Sequence, residues 1–207
     1  MREPRSCSSR AVWVWRADRR CDTIWNAYIG TNQISWVLQN SYTLGSASID
    51  IIGPDWSFGA TNPYIGIIQG RYTLVLQGGG IYGPPWLSDV SVSQMGVVPA
   101  GAKSIFLEER VGGNNCTVSL AGQLISLFVC GVGSNYTVCA GDVSAFAGLL
   151  TELRISTAIT PDNFQCMNSI DAISFSTQVV PEPGCLGLVM LGSACCCLWR
   201  LTNRKAT

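Results

Sequence analysis

The sequence predicts an all-β chain, a β-sandwich or jelly roll of ordinary size followed by a single C-terminal transmembrane helix. Three observations carry that expectation. From Trp25 onward, ten short β-type runs follow one another, separated by glycine, proline and asparagine. In several of them apolar residues recur on one face, as with Tyr72, Leu74 and Leu76 against Arg71, Thr73 and Gln77, or with Ile170, Ile173 and Phe175. Over 207 residues, 47% hydrophobic and 13% charged content provides material for a sizeable core and too few charges for disorder. Ten short strands at this spacing point to a sandwich or jelly roll.

Taken in order, residues 1–24 form an irregular Arg-rich leader whose apolar run, Ala11 to Trp15, is flanked by Arg10 and Arg16. A secretory signal needs an apolar stretch of roughly 7 to 15 residues, so the leader as written carries no export signal. Arg19 and Arg20 form a pair with no apolar run behind it, which argues against a twin-arginine signal. Residues 25–178 form the sandwich. Its predicted strands are Gln33–Gln39, Ser46–Ile52, Ile67–Gln77, Asp89–Met95, Ser104–Arg110, Cys116–Leu120, Leu124–Cys130, Tyr136–Ala140, Leu149–Ser156 and Ser169–Ser176. Only Val143–Leu150 hints at a helical turn, with Asp142 as its cap.

Residues 179–207 are of a different kind. Val180, Pro181, Glu182 and Pro183 precede an uncharged run from Gly184 to Trp199, which Arg200, Arg204 and Lys205 follow. Its 16 residues would reach roughly 24 Å as a helix, a little short of a comfortable membrane span, and snorkelling side chains make up the difference. Because the basic residues lie only on the far side, they stay cytoplasmic and the residues before Pro181 lie outside. Two prolines hold Glu182 extended, so the motif is presented rather than folded in.

Charge and cysteine content narrow the function. Residues 1–21 carry net +4, residues 22–180 net −6 and the remainder net +2. An acidic body argues against nucleic acid as a partner. The body cysteines, Cys116, Cys130, Cys139 and Cys166, contain no Cys-x-x-Cys pair, and the chain has no histidine, which speaks against a zinc site. Exported, these four could form two disulfides in any of three pairings, with Cys116 to Cys130 spanning a hairpin centred on Ala121 and Gly122. Buried free thiols are the alternative.

Without histidine, Ser-His-Asp and Cys-His catalysis are excluded. Paired carboxylates remain, drawn from Asp50, Asp55, Asp89, Glu108, Glu109, Asp142 and Glu152, but nothing in the sequence brings two of them together in a cleft. Carbohydrate binding is the stronger alternative to a non-enzymatic role. Trp56, Phe58, Tyr64, Tyr82 and Trp86 gather in two loop-like segments rich in glycine, proline and asparagine, where exposed rings would stack on sugars and packed rings would belong to the core.

The order of VPEP at Val180 to Pro183, apolar run and basic end resembles the PEP-CTERM sorting signal of exopolysaccharide-producing bacteria. The departures are Cys195, Cys196 and Cys197 in the apolar run and a sparse basic end. Residues 25–176 also resemble the ectodomain of a group of PEP-CTERM proteins, through WVLQNSYTLGSASIDIIGP, IIQGRYTLVLQGG, VSQMGVVPAGAKSIFLEER, TVSLAGQLISLF, NYTVCAGDVSAFAGLLTELRI and the IDAISFS that precedes VVPEP. The resemblance implies a jelly roll similar to galactose-binding-like domains, export to the cell surface or extracellular matrix, and cleavage by an exosortase-type membrane protease. It further implies a non-enzymatic role at the envelope or in exopolysaccharide, with a carbohydrate-binding module and then a glycosidase-like enzyme as alternatives. Asp171 matches the group's final-strand acid and is its candidate calcium ligand; Ala172 stands where a second Asp is frequent, and the N-terminal acidic strand is missing. For the same reason the leader reads as a wrongly chosen start or a truncated gene, with a divergent leader as the alternative.

Overall fold

Period-two patterning is realised in thirteen strands among the described residues of the computed structural model, which are 25–41, 46–56, 65–79, 88–112, 116–159 and 166–180. One sheet runs, edge to edge, β2 (Asn32–Ile34), β1 (Asn26–Ile29), β6 (Val90–Val97), β12 (Leu150–Thr157), β8 (Thr117–Leu120) and β9 (Gln123–Ile125). The other runs β10 (Phe128–Val132), β11 (Thr137–Asp142), β7 (Ser104–Gly112), β13 (Cys166–Ser176), β5 (Thr73–Gly78), β4 (Ser48–Ile52) and β3 (Leu38–Gln39). Strands pair antiparallel except β3 with β4. Val90, Val92, Val118, Leu120, Leu153 and Ile155 of the first sheet share one buried cluster with Ile49, Leu74, Leu76, Ile105, Leu107 and Ile170 of the second. The chain is therefore all-β with two sheets closed on a common core, as in a β-sandwich.

Two predicted strands are each divided between the sheets. Gln33–Gln39 becomes β2 and β3, and Leu124–Cys130 becomes β9 and β10. Their composition suits a strand throughout, but the backbone changes hydrogen-bond partners at residues 35–37 and 126–127. In both cases the strands before and after the crossing are edges, so the chain laces each flank of the sandwich. The sequence pattern does not predict β1, since NAYI is short and followed at once by the Gly30 turn, where φ is +60°. The predicted Ile67–Gln77 strand shortens to β5, because Ile65 and Ile68 are buried as part of a segment folded over the outer face of the seven-stranded sheet. At Val143–Leu150 the helical signal reduces to a 3-10 turn, Ser144–Phe146, whose Ser144 N–H donates to Asp142 Oδ1 at 2.8 Å.

The hairpin centred on Ala121 and Gly122 is present, with φ of +51° and +77° at the two turn residues, a backbone sense that suits a tight two-residue connection. The Cys116–Cys130 disulfide that this hairpin left open is not, and the alternative of free thiols holds. Val118 pairs with Ile125, which puts Leu127 opposite Cys116, and the chain has by then left for the other sheet. Cys116 is buried and Cys130 exposed, and Cys116, Cys130, Cys139 and Cys166 are all free thiols.

In β13 the spacing of Ile170, Ile173 and Phe175 is three residues and then two, which a regular strand cannot keep on one face. A bulge resolves it: Asp171 pairs with Glu108 and Ser174 with Phe106, leaving one extra residue on β13. Ala172, with φ of +49°, lies within the bulge, and both Ile170 and Ile173 reach the core. The last strand ends at Ser176, and the described fold ends at Val180. Among the described residues no helix is long and apolar enough to cross a membrane. The predicted span, the leader and the basic end lie outside the described residues.

Candidate functional site

Three polar constellations are built by the sheets. The first lies on the outer face of the six-stranded sheet, where alternation turns Tyr28, Ser91 and Arg154 away from the core on three adjacent strands. The Arg154 guanidinium lies 4.4 Å from the centre of the Tyr28 ring. It donates to Ser91 Oγ and to Glu152 Oε1, each at 3.0 Å. Beside it Gln33 Nε2 donates to Asn26 Oδ1 at 3.0 Å. Burial raises the Glu152 pKa, but the neighbouring Ser93 hydroxyl and the Arg154 guanidinium lower it by more, and the net shift is downward. The Arg154–Glu152 pair is about one-third exposed and contributes at most about 1 kcal/mol. Its effect is positional: an aromatic ring, a cation, a carboxylate and amides are gathered on one face of the sheet.

The second lies on the outer face of the seven-stranded sheet, beneath the segment before β5. Asp171 and Glu108 stand opposite each other on β13 and β7. Asp171 Oδ2 accepts from Thr73 Oγ1 at 3.0 Å and from the Gln69 N–H at 3.3 Å, while Oδ1 accepts from the Ala172 N–H at 2.8 Å. Gln69 Nε2 donates to Glu108 Oε1 at 2.6 Å and to the Tyr136 hydroxyl at 3.1 Å. Glu108 Oε2 is buried without a hydrogen-bond partner. Burial pushes both carboxyls above their ordinary values, and the Asp171 charge adds to the shift of Glu108. The fold thus brings two acids together on adjacent strands, but it engages Asp171 with three protein donors. Among the described residues no group of three or more His, Cys, Asp or Glu is arranged to hold a metal.

The third is inside the core. Glu109 is 1% exposed; its Oε1 accepts from the Cys116 N–H at 2.7 Å and its Oε2 lies 3.7 Å from Cys139 Sγ. Burial raises the Glu109 pKa against the opposing pull of the Cys116 N–H. Burial, and then the Glu109 charge, push the Cys139 thiol up to about 11 and the Cys116 thiol well above its ordinary value. Both sulfurs are therefore protonated at neutral pH and poor nucleophiles.

Of the residues singled out from sequence, Trp56 packs against Ile52, Ile65, Val75 and Met167, and its Nε1 is buried without a partner. The ring is half-buried against that cluster. Tyr64, Tyr82 and Trp86 lie outside the described residues. Asp171 lies in the second constellation, and Val180 is buried where the fold ends. Pro181, Glu182, Pro183, Arg200, Arg204 and Lys205 lie outside the described residues. Sequence reasoning missed the Tyr28–Arg154 contact, the Glu108–Asp171 pair and the Glu109–thiol cluster. Only the last had a local signal: with Ile105 and Leu107 turned inward, period two turns Glu109 inward as well. No family model, curated protein or solved structure matches the chain.

Proposed function

We propose that the chain is a non-enzymatic, exported surface protein whose β-sandwich is sorted through a PEP-CTERM signal at residues 180–207 and handled by an exosortase-type protease. The observation that carries this reading is continuity: β13 ends at Ser176, Val180 is still packed on the sandwich, and the VPEP motif starts at that residue. The chain therefore passes from the sandwich into the proline-flanked motif and the apolar run with no intervening linker. The finer fold assignment in this reading is a jelly roll similar to galactose-binding-like domains. It is supported by the order β6-β12-β8-β9 in one sheet against β5-β13-β7-β11 in the other, with the chain passing back and forth between them. The test is cell fractionation of the protein with and without residues 180–207. Retention at the envelope should depend on the tail; the same soluble distribution for both would refute the proposal.

A second reading, polysaccharide binding by the open face of the six-stranded sheet, is favoured by the Tyr28, Arg154, Glu152, Asn26 and Gln33 array. Hydrogen-bonding groups clustered beside an aromatic ring suit sugar hydroxyls and ring faces. Affinity electrophoresis through gels containing exopolysaccharide checks it: Tyr28→Ala and Arg154→Ala should each abolish retardation, and unchanged mobility would refute it.

A further inference from the structure

Among the described residues ten large apolar side chains are exposed, and five of them lie at one end of the sandwich: Met95, Val97, Leu149, Leu150 and Val179. Backbone pairing fixes the grouping. Val97 stands opposite Leu150 at the end of β6 and the start of β12, with Met95 next to them on the same outer face. The Val98 N–H donates to Leu149 O at 2.9 Å. The chain then turns through residues 99–102, and the Lys103 N–H donates to Ser176 O at 2.8 Å, while Ser104 Oγ donates to Gln178 O at 2.7 Å. The apolar corner and the exit of β13 therefore belong to the same end of the molecule.

We propose that this end is a lipid-contact surface, seated in the headgroup region of the bilayer that receives the apolar tail. The proposal rests on the tail reading above and adds an orientation to it. The length of chain available argues for lipid as the occupant. From Val180 to Gly184 are four residue steps, which reach at most about 14 Å when fully extended. A headgroup layer is roughly 5 to 7 Å deep on each side of the hydrocarbon. With the tail inserted, the exit end is held no more than about 9 Å above the headgroup layer, within easy reach of contact, and the apolar side chains are on that end. Leu150 and Val179 are 69% and 68% exposed, an arrangement that water disfavours and an interface accepts. Charge does not explain the corner, since exposed Lys103 and Asp142 beside it carry opposite signs.

The experiment uses the full chain on vesicles of phosphatidylethanolamine and phosphatidylglycerol. Flotation reports tail insertion; hydroxyl-radical footprinting with mass spectrometry, each residue normalised to the unfolded chain, reports the contact. The expected result is flotation with several-fold protection of Met95, Leu149 and Leu150 relative to Val129 and Val132, persisting at high salt. Flotation with Met95 and Leu150 as reactive as Val132 overturns the surface and leaves the tail reading standing. Failure to float overturns both. Protection that is already present without vesicles assigns the corner to the tail or to a second copy and overturns the proposal, as does protection abolished by salt. The variant Val97→Lys/Leu150→Lys, made at exposed positions, should still float but lose Met95 protection; protection retained in that variant also overturns it.

Discussion

Glu109→Gln tests the physical account of the core most directly. The amide keeps an oxygen for the Cys116 N–H and offers an N–H towards Cys139 Sγ, so shape and hydrogen bonding survive while the charge is lost. Burial raises the Glu109 pKa above its ordinary value of 4.5. A carboxyl shifted in that direction keeps its proton in the fold after the unfolded chain has released it. The Glu109 contribution to stability is therefore fully present at and below about pH 4.5 and is lost as pH rises from there to the folded pKa. One such proton gives a slope of at most about 1.4 kcal/mol per pH unit. Asp50 and Asp171 add slopes of the same sign, and Glu108 adds a smaller one because it is less buried. The difference between wild type and variant isolates Glu109. Urea unfolding of the detergent-solubilised full chain, followed by tryptophan fluorescence across pH 4 to 7, should show the variant to be the more stable at pH 7 and its pH slope flatter. Equal slopes, or a variant less stable at pH 7 by more than about 1 kcal/mol, would refute the view that an uncompensated buried charge sits there.

Other consequences follow from the packing and the turns. Leu107→Ala, at a side chain with no exposed surface, should cost about 2 to 5 kcal/mol by the same unfolding measurement. Gly122→Val, at φ of +77° in the β8–β9 turn, should cost on the order of 1 to 2 kcal/mol although the position has open space around it. Thr73→Val removes a buried donor from Asp171 and should destabilise by about 1 to 3 kcal/mol, with the loss shrinking as Asp171 is protonated at low pH. Maleimide labelling of the native chain with peptide mapping should modify Cys130 while sparing Cys116, Cys139 and Cys166; modification of Cys139 at the same rate would contradict its burial and raised pKa.

How much of this was legible in the sequence depends on the range of the interaction. The class was readable because alternation is local: Leu74 and Leu76, or Ile105 and Leu107, declare their faces without reference to partners. The Ala121–Gly122 turn was readable for the same reason. What failed was partnership. Nothing in Gln33–Gln39 says that its two halves pair in different sheets, because the crossing is decided by the partners of β2 and β3 elsewhere in the chain. The same long range separates Tyr28 from Arg154 and Glu108 from Asp171, whose adjacency exists only once the strand order is fixed. Trp56 illustrates the same limit: a tryptophan in a Gly- and Pro-rich segment can be read as exposed or packed, and Val75 and Met167, distant in the chain, supply surface it packs against.

The position of β13 has a mechanical meaning. It is the middle strand of its sheet, hydrogen-bonded to β7 on one side and β5 on the other, and it is the strand from which the chain leaves towards residue 180. A pull on the chain beyond Val180 therefore runs along β13 and loads two ladders in shear, rather than peeling an edge strand one bond at a time. Yield then requires many bonds to fail together, so the unfolding rate under load, rather than equilibrium stability, sets how long the sandwich stays whole. In a tethered molecule drag arrives through that strand, and the bulge at Ala172 is the one irregularity in the ladder it shares with β7.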